Sequence, residues 1–176
     1  PSATLNPASA ALVGVVSGDT VTLNAASATG AFASATVGTG KTVTVSGLTI
    51  GGAQAGNYSL TQPTTTADIT GKVLTVSGIT ASNKVYDGNT TATLNVASAA
   101  LVGVVSGDTV TLSTGSASGA FATAAVGTTK PVTVSGLTLG GAEGGNYSLI
   151  QPTPTADITG KALTVPNCIH SKHTTR

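Results

Sequence analysis

The chain has 176 residues, 40% of them hydrophobic and only 7% charged, with a formal net charge of +1. That composition excludes disorder for want of apolar residues, and the missing basic cluster removes any electrostatic footprint for nucleic acid. No apolar run reaches the roughly 18 residues of a membrane span, so membrane insertion is not expected. The charged fraction lies far below the roughly 25% of an ordinary soluble domain. Solubility is left to Thr, Ser and Asn, which suits a secreted or cell-surface protein. A single Cys168 excludes an internal disulfide, so packing alone must hold the fold.

The text is written twice. Ala3–Val76 recurs without a gap as Ala92–Val165, an offset of 89 residues, and about four positions in five are identical. A unit of that size can own a core, whereas solenoid repeats of about 20–50 residues cannot. We therefore expect tandem modules: residues 1–71, a first copy without its lead-in; residues 72–160, complete; and 161–176, a further start that runs into an aberrant tail.

In chain order, ASAALVGVVSGD reads as an irregular strand and turn, because Gly14 and the β-branched Val15 and Val16 argue against helix. In Asp19–Leu23, Val21 and Leu23 alternate with Thr20 and Thr22, the pattern of a half-buried strand. Asp19 itself is expected in a turn, accepting local backbone bonds. Phe32, and Phe121 in the second copy, are core anchors. A hairpin-like turn is expected at Gly38–Gly40. TVSG, then Leu or Ile, then Thr occurs at Thr44–Thr49, Thr75–Thr80 and Thr133–Thr138. There the apolar residue after Ser-Gly is out of phase by one, which predicts a β-bulge or a sheet-switching corner at all three sites.

Tyr58 and Tyr147 close Gly-rich loops and are read as tyrosine corners, each hydroxyl bonding back to nearby backbone. Ala67–Thr70 closes the first copy. The second copy shows strands near Leu74–Val76, Lys84–Tyr86, Ala92–Leu94, Asp108–Leu112, Gly119–Ala122, Pro131–Leu139, Tyr147–Ile150 and Ala156–Ile158, with Pro131 opening its strand. Turn signals recur every 8–12 residues or so and no 3.6-residue period is sustained. The expectation is all-β, with immunoglobulin-like sandwich modules of about 89 residues.

The run Lys84-Val85-Tyr86-Asp87-Gly88 followed by a Thr run, then VSGDTVTL, AVGTTKPVTVSGLTL, GGNYSL and TADITGK, resembles the YDG repeat of large bacterial surface adhesins, including filamentous-haemagglutinin-like proteins. The resemblance covers one whole module and most of another. It implies an extracellular or cell-surface protein in which Tyr86, Asp87 and Gly88 are structural and the modules form stalk or filament sections. It supplies no catalytic residues.

Chemistry is sparse. Both His lie in the tail, so no Ser/His/Asp arrangement fits within a module, and the acids pair too poorly in sequence for glycosidase chemistry. No enzyme is expected. Cys168, His170 and His173 have metal-like spacing but offer only three ligands. Calcium at the module junction, on Asp68, Asp87 and a carbonyl, falls short of the six to eight oxygens it needs, so no cofactor is expected. Neighbouring repeats are the expected partners, with lateral association into fibres and an adhesive target beyond them. The alternative is a binding module, directed at carbohydrate or ice through ranks of Thr. Lys41, Lys84 and Lys130 are read as gatekeepers on strand edges.

Overall fold

The computed structural model describes residues 1–166; Cys168, His170 and His173 lie outside the described residues. The chain is all-β and forms two compact units, Pro1–Lys72 and the part from Val73 onward. In the first unit β1 (Ser2–Ala3), β3 (Thr29–Phe32), β4 (Gly38–Ser46) and β6 (Thr64–Ile69) make one sheet in the order β1-β3-β4-β6. A second ladder joins β2 (Thr22–Asn24) to β5 (Thr49–Gly51).

The second unit repeats this plan and adds to it. Its largest sheet runs β10-β14-β15-β18-β9, with β9 (Lys84–Val85), β10 (Thr91–Ala92), β14 (Ser118–Phe121), β15 (Gly127–Ser135) and β18 (Thr155–Thr159). β13 (Thr111–Ser113) pairs with β16 (Thr138–Gly140), and β8 (Thr80–Ala81) with β11 (Leu94–Asn95). β7 (Lys72–Ser77) lies between β12 (Ala100–Val102) and β17 (Tyr147–Leu149). The expected strand at Ala92–Leu94 is thus two short strands in two different sheets.

All three TVSG sites are sheet-switching corners. The chain leaves one sheet at the end of β4, β7 or β15 and enters another at β5, β8 or β16. The glycines that make the turn, Gly47, Gly78 and Gly136, have φ of 78°, 77° and 81°. Only glycine enters that region without strain. The out-of-phase apolar residue is the direct consequence: Val134 serves one sheet, and Leu137 is buried beside it after the bend.

At Gly38–Gly40 the expected hairpin turn is instead a bulge inside β4, whose register against β6 shifts between Gly38 and Lys41. The same shift falls between Gly127 and Lys130, so Pro131 sits within its strand, opposite Thr155. In each copy a carboxylate holds the bulge: Asp68 accepts the Gly40 N–H and Asp157 the Thr129 N–H, both at 2.7 Å. Thr129 has φ of 51° where the first copy has Gly40 at 60°. A β-branched residue there is strained by about 1–2 kcal/mol, part of which glycine returns as lost chain entropy. Thr129→Gly should therefore raise stability by about 0.5–1 kcal/mol in urea unfolding. An unchanged or lower midpoint would refute the strain.

Burial separates the two copies more than sequence does. Ala92, Phe121, Leu137, Ala156 and Ile158 are buried in the second unit. Their identical counterparts Ala3, Phe32, Leu48 and Ile69 are only half-buried, and Ala67 is exposed. In the first unit only Val43 and Val45 are buried among the large apolar residues. The difference is β7–β9, present in the second unit, where Leu74 is 0% exposed and Ile79 packs on Val134 and Leu137. The lead-in is part of the module's core.

Candidate functional site

The polar side chains gather in clamps that tie turns to sheets, and the first of these recurs in both units. The first begins at a 3₁₀ turn, Ala55–Asn57 or Gly144–Asn146, that delivers the following Tyr. The Tyr58 hydroxyl donates to Asp19 Oδ2 at 2.7 Å and accepts the Val16 N–H at 3.0 Å. Tyr147 does the same with Asp108 and the Val105 N–H. The hydroxyl meets a backbone N–H, as in a tyrosine corner, but one 42 residues back in the VVSGD turn. The bond to Tyr58 corrects the reading of Asp19, whose carboxylate serves the phenol and not its own backbone.

Donation to a carboxylate holds the proton on the ring, so both phenols titrate above the ordinary tyrosine range, Asp19 and Asp108 being the main causes. A raised folded-state value means that this stabilisation is full below the ordinary phenol range and is lost as pH rises through the raised value. A second link secures the same turn. Thr20 N–H donates to Gln54 Oε1 at 2.9 Å, and Thr109 N–H to Glu143 Oε2 at 2.8 Å.

The second clamp is the Tyr86-Asp87-Gly88 turn. Lys84 Nζ lies 2.8 Å from Asp87 Oδ1 and donates to the Asn89 carbonyl, Asn89 Oδ1 and the Thr91 carbonyl at 2.8–3.0 Å. The ammonium also sits 5.9 Å from the Phe121 ring centroid, within range of a cation–π attraction. Asp87 and Asn89 each cap backbone two residues on, a short Asx arrangement, and Gly88 turns the chain at φ of 81°. The structure thus brings Asp87, Gly88 and Phe121 together around Lys84. The Tyr86 ring stays exposed, while its N–H joins the sheet at the Thr159 carbonyl. Phe32, in the first unit, has no such lysine over it among the described residues.

The Lys84 ammonium, followed by the Asn89 N–H, holds the Asp87 carboxyl below its usual range. A depressed folded value contributes stability above the unfolded carboxylate range of about 4 and loses it as pH falls through the folded value. Asp87→Asn should lower the second unit's urea midpoint at pH 7 and lower it less at about pH 2, as the carboxyl takes up its proton. An equal loss at both pH values would show that charge is not what Asp87 supplies.

Three further contacts escape sequence reasoning. The Gln62 amide donates to the Leu48 carbonyl at 2.9 Å and accepts its N–H at 3.1 Å, and Gln151 repeats this on Leu137. Both brace the residue just after a glycine corner. Asn83 accepts the Asp157 N–H at 2.7 Å, tying the lead-in to β18. The lysine gatekeepers need correction. Lys41 and Lys130 stand on interior strands and bind their own loops, Lys41 at Ser34 and Thr36 and Lys130 at Thr123 and Ala125. Lys84 is on an edge strand, but its ammonium is turned inward to the YDG turn. The recurrence of Gln-Pro after each NYSL run was the available signal for the first of these contacts.

All six carboxylates are engaged in these contacts, and among the described residues no three His, Cys, Asp or Glu side chains gather as metal ligands. Asp68 and Asp87, the two acids considered for calcium, are each committed within their own unit. The arrangement offers geometry for holding turns.

Compared with known proteins, the chain matches the YDG domain over residues 2–67 and again over 70–156. No curated protein and no solved structure shows a significant match. The two matches together span most of the sequence, and the chain belongs to the YDG domain family.

Proposed function

We propose that the chain is a pair of structural spacer modules from a secreted or cell-surface bacterial adhesin or filament, without catalysis. The observation that supports this most is that every carboxylate, and each of the clamping lysines and tyrosines, is spent inside its own unit on holding a turn. A module built so returns the same fold each time it is written, and reach then grows with copy number. In this reading each complete module is an immunoglobulin-like β-sandwich of about 89 residues, its partners are neighbouring repeats, and it works outside the cell.

The low charge supports the same reading, since an uncharged Thr-rich surface stays wet without steering charged ligands. Small-angle X-ray scattering on the two-unit chain tests the proposal. A spacer gives an elongated particle with two lobes and a pair distribution with two maxima. A single compact globule would overturn it.

A further inference from the structure

Tension along the chain enters the second unit through its first strand, β7, and leaves through its last, β18. A strand on a sheet edge has one line of hydrogen bonds to lose. Neither of these two is on an edge. β7 lies between β12 and β17, and β18 between β15 and β9. Of the twelve described strands from β7 to β18, only β14 and β15 share that position, with a neighbour on each side. The rungs run across the strands, so a pull along β7 or β18 strains two lines of them together.

Each of these strands is gripped by named contacts. On one side of β7, Thr75, Val76 and Ser77 face Val102, Leu101 and Ala100; on the other, the Leu74 carbonyl accepts the Ile150 N–H at 2.9 Å. Leu74 itself is fully buried, and the Gly78 corner that ends the strand packs against the Ser98 carbonyl with no room for a Cβ. Beyond the corner, β9 runs parallel to β18, with Lys84 beside Ile158 and Val85 beside Thr159. The Tyr86 N–H reaches the Thr159 carbonyl at 2.8 Å, and Asn83 accepts the Asp157 N–H at 2.7 Å. Because the two strands run the same way, a pull from the N-terminal side of β9 and the C-terminal side of β18 slides one past the other. The lead-in is thus bonded to the strand that carries the opposite load.

We propose that the second unit is built to bear tension. β7 is a lock whose withdrawal from between β12 and β17 limits forced unfolding, and the β9–β18 pair is a second lock behind it. Forced opening follows the unfolding rate and not the equilibrium stability, so the loaded strands decide it and not the core as a whole. Only the purpose of the lock rests on the spacer reading. A compact particle in scattering would remove that reading, whereas failure of the lock shows in opening rates under force.

The test pulls the intact chain by its two ends in optical tweezers, with Cys168→Ser throughout and Val85→Cys with Thr159→Cys added to bridge β9 to β18. Both positions are exposed and stand opposite each other. Reduced, the second unit should open in one event that releases roughly 300 Å, the span of residues 72–159. Oxidised, the bridge shields everything between residues 85 and 159 and leaves only β7 and β8 to be drawn out. The event should then shrink to under about 50 Å yet keep its rate at a fixed force within about fivefold. A larger change in rate, or no short event at all, places the barrier elsewhere and overturns the proposal. Thr75→Pro tests the same strand by weakening it. The Thr75 side chain is exposed, and Pro removes its N–H from the ladder with β12, so the unit should open at least about tenfold faster at the same force. An unchanged rate would likewise overturn the lock.

Discussion

Gly136→Ala should lower the stability of the second unit by more than about 3 kcal/mol. Two costs add. The backbone has φ of 81°, where an L-residue loses about 1–2 kcal/mol. The new Cβ would also stand 2.1 Å from the Ser116 carbonyl oxygen, and no rotamer relieves a clash between Cβ and backbone. The turn Thr114–Ala117 must move, at the expense of the Ala117 N–H bond to the Thr114 carbonyl. Gly107→Ala is the matched control: its φ is 98°, but nothing lies within 4 Å of the added methyl. It should cost only the backbone share, about 1–2 kcal/mol. Urea unfolding of both variants decides the matter, and equal losses would mean that close packing at the corner contributes nothing.

Phe121→Ala should cost about 3–5 kcal/mol, and Phe32→Ala less than half as much. The two residues occupy counterpart positions and pair with the same neighbours, Phe121 opposite Val132 and Phe32 opposite Val43. Phe121 is 2% exposed in a cluster with Ala92, Val132, Ala156 and Ile158, so truncation leaves a cavity lined by all four. Phe32 is only half-buried, and water can enter the space its ring leaves. Lys84 adds a cation over the Phe121 ring that Phe32 does not have. Chemical denaturation with the two units followed separately by NMR would measure both losses. Equal losses would show that the lead-in contributes nothing to the core around Phe121.

The sequence made the corners legible because Ser-Gly shifted the apolar phase by one in three places, which a straight strand cannot absorb. It made the all-β class legible through alternation in segments such as Asp19–Leu23 and through regular turn signals. Long-range polar partners were not legible. Tyr58 and Val16 are 42 residues apart, and nothing local marks Asp19 as the acceptor for a phenol. The bulge at Gly38–Gly40 has the sequence signature of a turn because Gly-rich runs signal both, and only the register against β6 tells them apart. The edge position expected for Lys41 and Lys130 fails for a related reason, since whether a strand is an edge depends on sheet order, which no local pattern reveals. The role of Lys72–Thr91 was the deepest gap. Ala67 and Ala156 are identical in type and setting along the chain, yet one is exposed and the other buried. That difference comes from strands far away in sequence.

Amide hydrogen exchange on the intact chain tests most directly the claim that the lead-in completes a module. Residues 118–135 and 29–46 are near-copies with the same ladder, β14 on β15 and β3 on β4. If β7–β9 complete the core, the amides of 118–135 exchange at least about tenfold more slowly than their counterparts in 29–46, because local opening there exposes a fully packed cluster. Equal rates in the two segments would contradict the account and leave Lys72–Thr91 as a linker.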